Sequence, residues 1–149
     1  MVDFHHHLSE KTVYYRYFAP LKLDVRVEHE RLLKQCRIDY HNEMALVALS
    51  SDGRGEQHLG AVARLVRMQK GNSAEIAFVV ADQHQHRGLG TYLLARIIDI
   101  ARQQGLAALE AVVLADNAEM KNLFRRAGFK FSPVLSGELT ARLNLFPTM

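Results

Sequence analysis

The sequence predicts one mixed α/β domain of the α+β class, with a central mixed sheet that opens as an antiparallel meander, continues in a parallel strand pair and carries helices on both faces. Three observations predict it. Three β-type apolar runs follow one another at 44–49, 58–68 and 73–80 with only turn clusters between them. The pattern then changes from alternation to a period of about 3.6 residues over 88–104. A fourth strand-like run at 107–114 follows that helix, and a strand reached by a crossover helix runs parallel to the one before it. The chain has 149 residues, 48% hydrophobic and 23% charged, which is ordinary composition for a single core.

In order along the chain, Ser9 caps a first helix through about residue 18, and Asp24 caps a second to about residue 36 that turns Val25, Leu32, Leu33 and Cys36 to the core. Ser51-Asp52-Gly53-Arg54-Gly55 closes the first hairpin, and Lys70-Gly71-Asn72 the second. The helix at 88–104 places Leu93, Ile97, Ile100 and Ala101 on one stripe, and Gly105 stands where a left-handed stop belongs. A last helix at 118–127 starts at Asn117 and closes at Gly128, before short strands near 129–132 and 139–144.

Composition narrows the function. Nineteen basic residues stand against sixteen acidic ones, for a net charge of +3 without a sustained basic run, so nucleic-acid binding is not expected and a small anionic ligand is satisfied equally well. The lone Cys36 allows no internal disulfide and fits a reducing cytoplasm. No apolar run reaches membrane-spanning length. His5-His6-His7 and His84-x-His86 are the histidine clusters. Neither has a carboxylate or cysteine partner at a familiar spacing, so no metal is expected, and His5 to His7 read as a polar approach to the first helix.

The segment Asp82-Gln83-His84-Gln85-His86-Arg87-Gly88-Leu89-Gly90-Thr91 joins the third strand to the crossover helix. A strand that feeds a glycine-rich turn into a helix leaves several backbone N–H groups unpaired at the positive end of the helix dipole, which suits a phosphate. Gly88 and Gly90 remove side chains from that approach, and Arg87 adds a charge. Spacing alone leaves open a plain tight turn. The Walker and dinucleotide fingerprints do not fit, because no Gly-Lys-Ser/Thr follows and Thr91-Tyr92-Leu93 comes after Gly90.

Gln85-x-x-Gly88-x-Gly90 before an amphipathic helix resembles the acyl-CoA signature of GNAT acetyltransferases, and Asn117-x-x-Met120-x-x-Leu123-Phe124-x-x-x-Gly128-Phe129 resembles their downstream helix motif. Upstream, residues 8–18, Ile38-Asp39-Tyr40 and residues 43–48 are similar to the acetyltransferase domain of bacterial Pat-type protein lysine acetyltransferases, so the resemblance covers nearly the whole chain. It implies a GNAT fold over 1–149 as one domain, acetyl-CoA as acyl donor and direct transfer to an amine. The amine is a protein lysine or a small molecule; a non-catalytic acyl-CoA sensor is the reading from another class. Pat-type domains are often fused to an acyl-CoA-synthetase-like or nucleotide-binding region, and this sequence contains neither. GNAT domains usually begin with a strand, whereas Ser9 already opens a helix here. A missing or vestigial first strand is therefore expected, which leaves the strand at 44–49 as an exposed edge that a second copy could cover.

The same resemblance assigns residues. Backbone groups of Phe78, Val79 and Val80 would pair with the pantetheine arm where the parallel strands splay, and Gln85, His86, Arg87, Gly88, Leu89, Gly90 and Thr91 would hold the pyrophosphate. Asn117 reads equally as a helix N-cap and as a cofactor contact. Many GNAT enzymes carry a tyrosine on the last helix to protonate the leaving thiolate; that position is Phe124, which leaves a dedicated acid in doubt. An attacking amine must be neutral, and for an ordinary lysine at pH 7 this costs about 4.6 kcal/mol, so a nearby base has leverage. By alternation Ser73, Glu75, Ala77 and Val79 share one face of the third strand, which by pattern alone makes Glu75 a solvent-facing carboxylate. Ala74-Glu75-Ile76-Ala77-Phe78 is similar to the Pat-type strand that carries the general base, so Glu75 is the expected base, with partial desolvation to strengthen it. Tyr14, Tyr15, Tyr17 and Phe18 read as core first and as acceptor lining second.

Overall fold

A computed structural model describes residues 1–17, 41–133 and 136–146. Its elements are helices α1 (Val2–His6) and α2 (Glu10–Tyr17), strands β1 (Glu43–Ser51), β2 (Gln57–Arg67) and β3 (Ser73–Val80), a 3-10 turn (Asp82–His84), helix α3 (Leu89–Gln103), strand β4 (Ala108–Leu114), helix α4 (Ala118–Arg126), and strands β5 (Lys130–Pro133) and β6 (Glu138–Asn144). The order matches the expected succession of meander, crossover helix, strand, helix and two short strands. The helix expected at 24–36 lies outside the described residues, as do Phe18, Asp39 and Tyr40.

The six strands form one sheet in the order β1-β2-β3-β4-β6-β5. β1, β2 and β3 pair antiparallel, and β3 pairs parallel to β4. Along β3, alternate side chains enter two different cores. Ala74, Ile76 and Phe78 pack with Leu93, Leu94 and Ile97 of α3 and with Phe124 of α4 on one face. On the other, Val79 and Ala81 pack with Phe4, Leu8 and Val13 from the α1–α2 segment. Helices therefore cover both faces, and the strict alternation of β3 divides its residues between them. Gly105 and Gly128 end α3 and α4 with φ of +72° and +95°, the left-handed stops their positions suggested.

The parallel pairing is short. Ser73↔Ala108, Ala74↔Leu109 and Glu75↔Glu110 are partners, and there the β3–β4 ladder ends. β3 stays paired to β2 as far as Val80, and β4 stays paired to β6 as far as Leu114. The two strands thus diverge after Glu75, each held by its outer neighbour, and a gap opens through the sheet.

Among the described residues no strand precedes α2, and β1 pairs with β2 alone. Val47 and Leu49 on β1 are 53% and 55% exposed, so the expected edge strand is present. Where His5 to His7 read as a polar approach, the chain forms α1, and its helical turn carries Phe4 and His5 inward together: His5 is 1% exposed, its ring edge-on to Phe4 at 5.9 Å. His6 and His7 remain outside. Tyr14 is a second correction, since it is 41% exposed rather than core.

Gly60 sits at a bulge where the β1–β2 register shifts between Ala48 and Leu49. A Cβ on Gly60 would lie 3.0 Å from His84 Cδ2, and Gly60 C=O accepts a hydrogen bond from Ala81 N–H at 2.8 Å. The bare backbone there lets the 3-10 turn settle against the meander, which sets where the segment after β3 begins.

At the hairpin, Asp52 accepts from the N–H groups of Arg54 (2.8 Å) and Glu56 (3.0 Å), and its other oxygen meets His58 Nε2 at 3.1 Å. His58 Nδ1 reaches Asp3 at 3.4 Å, tying α1 to the hairpin. The fold gathers Asp52, Glu56 and His58 with ligand atoms within 4.8 Å of one another, all outside the core. The hydrogen bond to Asp52, then that to Asp3, raises the His58 pKa above its ordinary 6.5, and the bond to His58 lowers that of Asp52. A raised histidine stabilises fully below its unfolded value and loses that contribution as pH rises through the folded value. The melting-temperature advantage of wild type over His58→Gln should therefore shrink as pH rises from below 6.5 to alkaline values. A constant difference across that range would remove the ion pair from the account of the hairpin.

Candidate active site

The gap between β3 and β4 widens into a cleft of about 670 Å³. Its walls are Glu75 to Val80 on one strand and Ala111, Val112 and Val113 on the other; α2 contributes Lys11, Thr12, Tyr15 and Arg16. The turn from Gln85 onward and Asn117, Met120, Leu123 and Phe124 of the α4 region complete it.

Backbone direction decides what β3 offers the cleft. Ser73 C=O accepts from Met68 N–H on the β2 side, Asn72 C=O accepts from Ala107 N–H on the β4 side, and Ala81 N–H donates to Gly60 on the β2 side. Alternate residues of a strand present their N–H and C=O to opposite edges. Ile76, Phe78 and Val80 therefore turn theirs to the open gap, while Val79 turns its own to β2. Phe78 and Val80 can pair with an extended ligand from the cleft. Val79 cannot, because its backbone belongs to the β2 ladder and its side chain to the second core.

The turn is a concentration of donors. Among the described residues nothing accepts from the backbone N–H groups of His86, Arg87, Gly88, Leu89, Gly90 or Thr91. His86 and Gly88 both have positive φ, +61° and +81°, and such alternation curls successive N–H groups toward a common concavity at the N-terminus of α3. A Cβ on Gly90 would lie 3.4 Å from Leu123 and 3.9 Å from Phe78, ordinary contact distances that place the start of α3 beside α4 and β3. Arg87 is exposed beside the turn, and His86 Nε2 lies 3.5 Å from Glu119 of α4.

Gln85 serves this turn from behind. Its side-chain amide donates to Val80 C=O (2.9 Å) and to Thr12 Oγ1 (3.0 Å), so both its N–H donors are spent inside the protein. Asp82 accepts from Ser9 N–H (2.9 Å) and Thr12 Oγ1 (3.2 Å). Burial pushes its carboxyl up, but the bonds from Ser9 and Thr12 outweigh that and hold it below the ordinary carboxylate value.

Residues 10–129 match the acetyltransferase (GNAT) family. The chain belongs to the GNAT acetyltransferase family. It is 30% identical over 127 residues to acetyltransferase PA5475 of Pseudomonas aeruginosa, covering 85% of this chain and 66% of that protein. It is 33% identical over 124 residues to acetyltransferase Pat of Mycolicibacterium smegmatis, covering 80% of this chain and 34% of that protein. The chain thus spans just under two thirds of the first relative and about a third of the second. The GNAT domain of S. lividans PAT superposes with a TM-score of 0.82 at 29% identity, covering 96% of this chain and 82% of that one. The mixed sheet of this chain, with one splayed parallel pair, is the GNAT fold.

Within this acetyltransferase, Glu75 stands at the apex of the split, on the last residue of the parallel ladder and on the α2 face of the sheet. It is exposed rather than partly desolvated as expected. Its neighbour across the ladder, Glu110, is ion-paired with Arg142 of β6. Asn117 is 7% exposed and its Oδ1 caps α4, accepting from Met120 N–H at 3.2 Å. Among the described residues nothing accepts from its Nδ2, and the residue lines the cleft. Phe124 is 2% exposed and wedged between Phe78 and Phe129, at centroid distances of 5.8 and 4.8 Å. It is a wall, not a proton donor. No helix of the described residues is long and apolar enough to cross a membrane.

Sequence reasoning missed Thr12 and Asp82. A Ser9-x-x-Thr12 start and an acid just after a strand are unremarkable singly, and only the fold brings them to the same turn. Tyr15, read first as core, lines the cleft and donates through its hydroxyl to Asp116 C=O at 3.4 Å, bridging α2 to the loop before α4.

Proposed function

We propose that this acetyltransferase moves the acetyl group of acetyl-CoA to a lysine side chain of a protein, with Glu75 as the general base. The observation that carries the reading is the split itself. The amide-rich turn at the N-terminus of α3 lies at one end of the cleft, where the diphosphate would bind. The free edge of β3 at Phe78 and Val80 runs from it toward Glu75, where the pantetheine arm would pair. This directs the thioester to the apex, and Glu75 meets an acceptor from the α2 face. His86, Arg87, Gly88, Leu89, Gly90 and Thr91 would hold the diphosphate, with Gln85 bracing them and Asn117 Nδ2 reaching the ligand. The apolar wall of Phe124, Leu123 and Met120 would seat the arm.

Glu75 would take the ammonium proton directly or through a water. The neutral nitrogen then attacks the thioester carbonyl, the C–N bond forms, the C–S bond breaks, CoA leaves as thiolate, and the second proton shed by the nitrogen passes through solvent to that thiolate. A thiol with a pKa of about 8.5 leaves without a dedicated acid, which accommodates phenylalanine at 124. The resemblance of the sequence to Pat-type protein lysine acetyltransferases supports a protein acceptor, and the single cysteine fits a reducing cytoplasm. The open, solvent-facing setting of Glu75 favours a lysine presented on a surface over an enclosed small amine. The deciding experiment is thiol release from acetyl-CoA with intact acyl-CoA synthetases and small polyamines offered in parallel. Release with the proteins alone is expected. Release with the amines alone would move the chain to a small-amine acetyltransferase, and binding without release from any acceptor would make it a sensor.

A further inference from the structure

Thr12 lies on α2, the helix that faces the acceptor side, yet two of the three bonds its hydroxyl makes reach the approach to the turn. Its Oγ1 accepts from Gln85 Nε2 (3.0 Å) and from Ser9 Oγ (3.1 Å) and donates to Asp82 (3.2 Å). One donor and two acceptor positions are thereby filled, the full capacity of a hydroxyl. Gln85 relays the contact, since its second N–H holds Val80 C=O, the last carbonyl on the free edge of β3. Asp82 relays it again, because it begins the 3-10 turn and takes Ser9 N–H at the start of α2. Thr12 thus grips the segment between β3 and the donor turn at both ends. The same helix shows Tyr15 and Arg16 to the cleft.

We propose that Thr12 is a positioning residue for the acetyl-CoA turn, through which the acceptor-side helix α2 sets the affinity for the acyl donor. The inference rests on the reading of the 86–91 turn as the diphosphate site. Without the hydroxyl, Gln85 keeps only its bond to Val80 C=O, its side chain is less firmly held, and the turn must be ordered by the ligand at a cost in affinity.

The test is calorimetric titration of acetyl-CoA into the full chain. Thr12→Val should bind about fivefold to tenfold more weakly than wild type, and Thr12→Ser, which restores the hydroxyl, should bind within about twofold of it. Gln85→Met removes the relay without touching α2 and should weaken binding by a similar factor, which keeps the test available if Thr12→Val does not fold. A role confined to packing would lower the melting temperature of Thr12→Val and leave its affinity intact, and that result overturns the proposal. So does unchanged affinity in Gln85→Met. Gly88→Val separates the two layers. If it weakens binding about 100-fold while Thr12→Val and Gln85→Met bind as wild type, the turn reading stands and the positioning role fails. If Gly88→Val also binds as wild type, the turn reading has failed with it.

Discussion

Glu75→Gln is expected to lower the rate of acetyl transfer at neutral pH by about 10²- to 10³-fold, the range for removing a positioned general base. Glutamine keeps the size and hydrogen-bonding reach of the side chain and removes its ability to take a proton. Glu75 is exposed and packs into neither core, so the fold should be unaffected and acetyl-CoA affinity should match wild type within about twofold, as expected for an exposed site. The position is specific. Glu110, one strand away at the same level, is engaged by Arg142 and should not substitute. Measured with whichever acceptor releases thiol from acetyl-CoA, near-normal turnover in Glu75→Gln would remove Glu75 from the mechanism.

Gly88→Val is expected to weaken acetyl-CoA binding by about 100-fold. Gly88 has φ of +81° as the residue before α3, a conformation that costs a β-branched residue roughly 1–3 kcal/mol. To escape it, the backbone must rotate and withdraw the N–H groups that converge there. Each hydrogen bond to a charged group contributes about 1.5–3 kcal/mol, so losing even one or two gives an effect of that order. A Cβ at this position meets no atom within 4 Å, so the damage is conformational and stays at the turn.

Most of the architecture was legible because periodicity and punctuation agreed along the chain. The β3 run 73–80 matched its strand end to end, and Gly105 and Gly128 closed their helices as their positions suggested. The turn at 85–90 was legible as a glycine-rich strand-to-helix turn with unpaired backbone N–H groups, and the second motif at Asn117 made the family readable. What stayed hidden depends on direction. Whether Val79 faces β2 or the gap follows from the hydrogen-bond phase of the ladder, which a one-dimensional pattern does not carry. His5 could be told from His6 and His7 only once α1 was known to be helical. Gln85 was read as touching the ligand because the motif includes it, but its partners, Thr12 and Val80 C=O, are 73 and 5 residues away. Alternation alone read Glu75 as solvent-facing, as it is, whereas the partial desolvation expected with a base role is absent.

The claim at the centre of this account is that acetyl-CoA occupies the split between β3 and β4 with its diphosphate on the turn before α3. Calorimetric titration of acetyl-CoA into wild type and Gly88→Val, side by side, tests it most directly. The account predicts one site per wild-type chain and an affinity reduced by about two orders of magnitude in the variant, with both chains melting cooperatively. Equal affinity in two folded chains would contradict it and place the acyl donor elsewhere.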